Sequence, residues 1–147
     1  MKQISGTWFE VKVRYEQTQE NGLEKMVTET YVYKAADFGE AFDKAIKNMS
    51  TFISGEFGIT AMKIAQYGEV VMQDDRTEEK YYRVKVNFIT LDEKTLKEKK
   101  TACYYLVNAD SVEKARKYAD TILSDSIVDF VIEAVQEAKI IDVIFDD

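Results

Sequence analysis

Residues 8–18, WFEVKVRYEQT, and residues 81–91, YYRVKVNFITL, decide how this chain is read. Both segments alternate. Phe9, Val11, Val13 and Tyr15 fall on one side; Trp8, Glu10, Lys12 and Arg14 fall on the other. That two-residue period belongs to a strand with one face buried. The two segments lie 73 positions apart, and at that offset Val11, Lys12 and Val13 meet Val84, Lys85 and Val86. Tyr31 then meets Tyr104, and Phe57, Ile59 and Ala61 meet Phe130, Ile132 and Ala134. A slip of one residue, assigned to the helix, brings Ala41 and Ala45 onto Ala115 and Ala119. The chain reads as an internal duplication: a single domain over 1–147, with repeats at 7–72 and 80–145 joined by the polar linker 73–79.

Each repeat follows one grammar. The alternating strand leads into a turn, Asn21-Gly22 in the first half, where glycine supplies the positive φ of a tight hairpin. The second half has the charged, glycine-free LDEKTLKEKK instead, which reads as a longer loop. A return strand follows, over about 23–34 in the first half. Asp37 and Asp110, each with a glutamate three residues on, read as helix N-caps. Phe38, Ala41, Phe42, Ala45, Ile46 and Met49 then recur at helical spacing, as do Val112, Ala115, Ala119, Ile122 and Leu123. The last segment of each repeat is read as a long bent strand, because Gly58, Ile59, Thr60 and Gly68 disfavour a helix. Gly55 is taken as the helix stop and Gly58 as a bulge. The expected fold is α+β: a duplicated β-β-α-β unit, with an antiparallel-dominated sheet and two helices on one face.

Composition narrows the chemistry. Of 147 residues, 46% are hydrophobic and 32% charged, the balance of a globular domain with a core. No apolar run is long enough for a membrane helix. The N-terminal residues lack a secretory pattern, and Cys103 is the sole cysteine, so the expected compartment is the cytoplasm. There is no histidine, the commonest general base and metal ligand. The net charge is −7, with eight acids and one lysine from Asp120 to Asp147, against seven bases and three acids from Lys80 to Lys100. No general basic footprint for nucleic acid exists.

Four blocks, WFEVKVRYEQTQENG at 8–22, KMVTETYVYKAADFGEA at 25–41, TFISGEFGIT at 51–60 and NFITLDEKTLKEKKTA at 87–102, carry a resemblance covering nearly the whole chain. The sequence resembles an uncharacterised family common in Bacteroides-type bacteria and their phages. The resemblance implies a small cytoplasmic protein on a bacterial, phage or prophage gene. It brings no activity and no site residues.

The candidate surface is the outer face of the two leading strands: Trp8, Lys12 and Arg14, with Tyr81, Arg83 and Lys85. The return strands are expected to add Thr28, Thr30, Val32, Thr101, Cys103 and Tyr105. Aromatic rings beside cations on an open sheet suit oligomer or protein-partner packing. Binding of a nucleotide or single-stranded nucleic acid is the alternative, with Trp8, Tyr81 and Tyr105 stacking on bases and Lys12, Arg14, Arg83 and Lys85 meeting phosphate. Ser54, Gly55 and Glu56 could form an anion nest but lack phosphate-loop spacing. Cys103 has no activating base. The carboxylate pairs Asp74–Asp75 and Asp146–Asp147 read as solvated charge. No catalytic set, metal site or cofactor is expected, so the reading is a non-enzymatic binding protein.

Overall fold

A computed structural model describes residues 1–146. Among them the order is β1 (Lys2–Ser5), β2 (Trp8–Thr18), β3 (Glu24–Lys34), α1 (Phe38–Phe52), β4 (Phe57–Ile64), β5 (Glu69–Met72), β6 (Tyr81–Leu91), β7 (Glu98–Asn108), α2 (Val112–Leu123), β8 (Asp129–Ala138) and β9 (Asp142–Ile144). The class is α+β. The strands form two mixed, mostly antiparallel sheets instead of one, each with its own helix. The segments read as long bent strands are strands, but each breaks into two, β4–β5 and β8–β9. The chain divides into two compact units, Gly6–Ala65 with Ile140–Asp147, and Met1–Ser5 with Gln66–Lys139.

The first unit carries the sheet β4-β2-β3-β9. Its β2–β3 hairpin closes over residues 19–23. Gly22 there takes φ +82°, and Asn21 Oδ1 accepts from the Leu23 N–H at 3.0 Å. Phe9, Val11 and Val13 from β2 and Tyr33 from β3 form the core with Ala41, Ala45 and Met49 of α1. The two alanines let the helix axis approach the sheet. An enlarged side chain at either would cost about 1–3 kcal/mol by overpacking. Asp37 caps α1 as expected, accepting from the Glu40 N–H at 2.8 Å. The helix stops at Phe52 with Ile53 as its C-cap, not at Gly55. The fourth strand of this sheet, β9, arrives from the far end of the chain and runs parallel to β3, with Val32 opposite Val143.

The second unit carries β1-β5-β7-β6-β8. Here β5, which ends the first half of the sequence, pairs in parallel with β7, Val70 opposite Leu106. Each half thus sends its last short strand into the sheet built mainly from the other half. Tyr82, Val84 and Val86 of β6 and Val107 of β7 pack on Ala115, Ala119 and Leu123 of α2. Within the linker, Glu78 turns back to the helix and accepts from the Tyr118 hydroxyl at 2.6 Å and the Lys114 ammonium at 3.3 Å.

Pairing registers locate the one-residue slip. In the first unit Val32 lies opposite Glu10; in the second Leu106, not Tyr105, lies opposite Arg83. The β6–β7 turn spans 92–97, one residue more than 19–23. LDEKTLKEKK therefore contributes Leu91 and residues 98–100 to the strands and its other six residues to a turn longer than the first, as expected. Asp92 Oδ1 accepts from the Lys94 and Thr95 N–H groups, and Leu96 takes φ +57° where the shorter turn has glycine. The extra residue moves everything from β7 through α2 forward by one. Ser111, not Asp110, consequently caps α2, accepting from Lys114 N–H at 3.2 Å. Asp110 instead accepts from the Glu79 N–H at 2.8 Å.

Both long edge strands are bulged. Pairing skips Thr60 in β4 between Lys12 and Val13, and Glu133 in β8 between Lys85 and Val86. The bulge expected at Gly58 lies two residues further on. A bulge interrupts the edge ladder and discourages pairing with a second chain.

Glu29 links two phenols, accepting from Tyr15 at 2.7 Å and Tyr31 at 3.2 Å. Burial, and then this carboxylate, push Tyr15 up to about 12 and Tyr31 higher still. The hydrogen bond to Glu78 pushes Tyr118 up to about 12 as well. An unfolded tyrosine titrates near 10. Between about pH 10 and 12 the unfolded chain releases protons that the folded chain keeps, so stability falls as pH rises through that window. It is fully present below it. Denaturant melts from about pH 9 to 12, with absorbance titration of the phenols, check this; a flat stability profile would contradict it.

Candidate functional site

The residues of the predicted aromatic-basic face are divided between the two sheets, and its rings are not open. Its members lie on two sheets, with Trp8, Lys12 and Arg14 on β2, Tyr81, Arg83 and Lys85 on β6, and Tyr105 on β7. All three rings proposed to stack are buried: Trp8 is 0% exposed, Tyr81 3% and Tyr105 8%. Trp8 sits edge-on to Phe145, ring centroids 6.5 Å apart. Tyr105 stands opposite Val84 and so points to the helix-covered side, as do Cys103 opposite Val86 and Thr101 opposite Phe88. The inserted turn residue is the cause, since one step of register exchanges the faces of a strand. Thr28, Thr30 and Val32 do share the face of Trp8, opposite Arg14, Lys12 and Glu10. Val32 is buried there.

Of the cations, Lys12 and Arg14 are exposed, while Arg83 and Lys85 are half-buried. Lys85 is 3.6 Å from Glu133, the bulge residue, and Lys63 is 3.5 Å from Glu10. The exposed pair shares its strand face with Glu16 and with Glu10, whose charge is matched by Lys63.

The remaining sequence candidates resolve quickly. Ser54, Gly55 and Glu56 line a groove of about 460 Å³ with Glu16, Thr18, Glu24 and Met26. Three glutamates make it unsuited to an anion, and the hydrogen bond and charge of Glu24 raise the carboxyl of Glu16. Cys103 is a free, half-buried thiol. Asp75 accepts from the Thr77 N–H, and Asp146 pairs with Lys44 at 3.2 Å. Asp147, the other half of the C-terminal carboxylate pair, lies outside the described residues. Among the described residues no group of three or more His, Cys, Asp or Glu is placed to hold a metal.

A surface not singled out in the sequence stands open on α1. Phe38, Phe42 and Ile46 recur every four residues and are 47%, 45% and 37% exposed. They border the core stripe Ala41, Ala45 and Met49. The opposite flank of the helix is tied to the sheet: Lys44 donates to the Lys34 carbonyl at 2.8 Å, and Asn48 accepts from the Tyr33 hydroxyl at 2.7 Å. Phe42 and Ile46 thus fall on the flank toward β2 and β4. The Phe38 ring meets Phe9 at 5.0 Å. Helix α1 packs on β2 and β3, whereas α2 packs on β6, β7 and β8. The helix side of β4 is left partly open: Phe57, Ile59 and Met62 are half-buried and Ile64 is exposed.

The second helix supplies an internal control. At the offset that sets the buried Ala41 and Ala45 against the buried Ala115 and Ala119, Phe42 stands against Arg116 and Ile46 against Asp120. The core stripe is kept, Phe38 corresponds to the exposed Val112, and the other two flanking positions are charged, so α2 packs without apolar residues where α1 has Phe42 and Ile46. The periodic signal was present in the sequence, but six apolar positions in one helix read as a single core face.

The chain belongs to a family of unknown function. The family model, a domain of unknown function (DUF4494), matches residues 7–146. That span takes in both helices and eight of the nine strands, from β2 to β9, so it covers the stripe on α1 together with its charged counterpart on α2. No curated protein and no solved structure matches the chain.

Proposed function

We propose that this protein is a non-enzymatic binding protein that engages a protein surface through the apolar flank of α1 and the adjoining side of β4. One observation carries the reading: an aromatic-aliphatic stripe is left open on α1 where the equivalent helix has Arg116 and Asp120. Exposed apolar residues clustered in this way mark interaction surfaces more often than they serve the fold. The proposal includes a cytoplasmic setting, supported by the single cysteine. It also includes a bacterial or phage gene and a host protein among the partners, supported by the sequence resemblance. Base stacking plays no part in it, because Trp8, Tyr81 and Tyr105 are buried.

The test grafts the second helix onto the first. Phe42→Arg with Ile46→Asp is expected to keep the fold at a cost of about 1–2 kcal/mol, since each side chain buries roughly half of its surface and α2 carries Arg116 and Asp120 at its matching positions. Association, read as native mass and as recovery of partner proteins from the host, is expected to fall at least about ten-fold, a loss of roughly 1.4 kcal/mol. A correctly folded variant with unchanged mass and unchanged recovery would remove the stripe as the interface.

A further inference from the structure

We propose that the α1 stripe takes a second copy of the same helix, packed antiparallel across a twofold axis. This deepens the interaction reading and rests on it. The rim of the stripe selects the occupant. On the outer side of Phe42 and Ile46 stand Asp43 and Lys47, both exposed, with no ion pair to either among the described residues. A twofold contact is self-complementary, and the same flank of each helix meets its own copy. An antiparallel pair that sets Phe42 against the partner's Ile46 also brings Asp43 within reach of the partner's Lys47, and the reverse. One acid and one base a single turn apart satisfy each other twice in this arrangement.

Charge points the same way. The chain carries −7, so two copies repel overall, and a contact that is itself neutral adds least to that repulsion. Helix α1 is neutral: Glu40 and Asp43 balance Lys44 and Lys47. The balance also argues against a nucleic acid or an anionic membrane, either of which calls for a basic face. A sheet-edge route to dimers is disfavoured by the bulges at Thr60 and Glu133. The helix route needs no change in either sheet.

Sedimentation equilibrium across a concentration series is expected to show a species of about 34 kDa, twice the 17.0 kDa chain. Asp43→Lys places lysines at both rim positions, and Lys47→Asp places aspartates at both. Each single variant is expected to dissociate at least about ten times more readily, since like charges then face each other twice. Mixing the two is expected to restore association as a heterodimer, weakening with added salt. Restoration by mixing separates a contact between copies from the ion pair that Asp43 and Lys47 could form within one helix, which mixing cannot repair.

A chain that stays at 17.0 kDa throughout overturns the proposal. So does a dimer indifferent to either charge reversal. Circular dichroism confirms that each variant folds. If the chain is monomeric but the Phe42→Arg, Ile46→Asp variant still loses host partners, self-pairing fails while the interaction reading survives. If that variant also keeps its partners, both fail.

Discussion

Removal of residues 140–147 is expected to unfold the sheet built on the first half of the chain, more than 100 residues away in sequence. Strand β9 lies beside β3 at that sheet's edge, with Val143 1% exposed and Ile140 7% exposed. Phe145 packs its ring on Trp8, Asp146 holds Lys44, and the Ile141 N–H donates to the Thr30 carbonyl at 2.9 Å. Losing one buried large aliphatic costs about 2–5 kcal/mol. Losing several together, with a strand's backbone partners, approaches the roughly 5–15 kcal/mol that holds a domain folded. Amide exchange should therefore show protection lost over β2 and β3 while β6 and β7 keep more of theirs. The point variant Val143→Asp should act in the same direction, because an unpaired carboxylate cannot be buried cheaply. A truncated chain whose β2 and β3 amides exchange as slowly as before would show that β9 is dispensable.

Trp8→Ala is expected to destabilise the fold by about 3–5 kcal/mol, the range for emptying a buried aromatic site. Trp8 is 0% exposed at the first position of β2, with the Phe145 ring edge-on to it, so truncation empties a filled site. Denaturant melts of the variant read the loss. The wild-type protein gives an independent check, since Trp8 is its only tryptophan. Its emission should be blue-shifted, and acrylamide should quench it poorly until the chain unfolds. Quenching as efficient as that of free tryptophan would place the ring in solvent and reopen the sheet face as a binding surface. The two results test the same placement by energy and by access.

Much of the local structure was legible from residues alone. Alternation in WFEVKVRYEQT and YYRVKVNFITL sets two half-buried strands, and Asn21-Gly22 sets a hairpin between strands of complementary pattern. Asp37 announces α1 because its side chain can satisfy a free N–H at a helix start. Helical spacing of small and large apolar residues set both helices. The second cap and the face of Tyr105 were misread for one shared reason. The turn at 92–97 contains a residue that the turn at 19–23 lacks, and nothing in a string of letters shows where a hairpin absorbs it. A step of one residue leaves a strand a strand, but it exchanges its faces.

The candidate site was harder to read than the fold. An amphipathic pattern tells which residues prefer to leave water, and in α1 it marks Phe42 and Ala45 alike. Which of them reaches a partner within the chain depends on where the helix lies on its sheet. Lys44 and Asn48 anchor one flank, leaving Phe42 and Ile46 on the other. In the same way, alternation put Trp8 on the side away from the helix but could not say that this end of the face is closed.

The sequence by itself determined the two long hairpins, the helices, the α+β class and the lack of histidine in the chain. These depend on local backbone preference and on composition, which are written residue by residue. Only the tertiary structure decided that there are two sheets, that β5 and β9 each join the sheet of the opposite half, that Trp8, Tyr81 and Tyr105 are buried, and that α1 keeps an open apolar flank. Those outcomes depend on pairing and covering by residues distant in the chain, and a local pattern carries no record of which distant surface arrives to cover it.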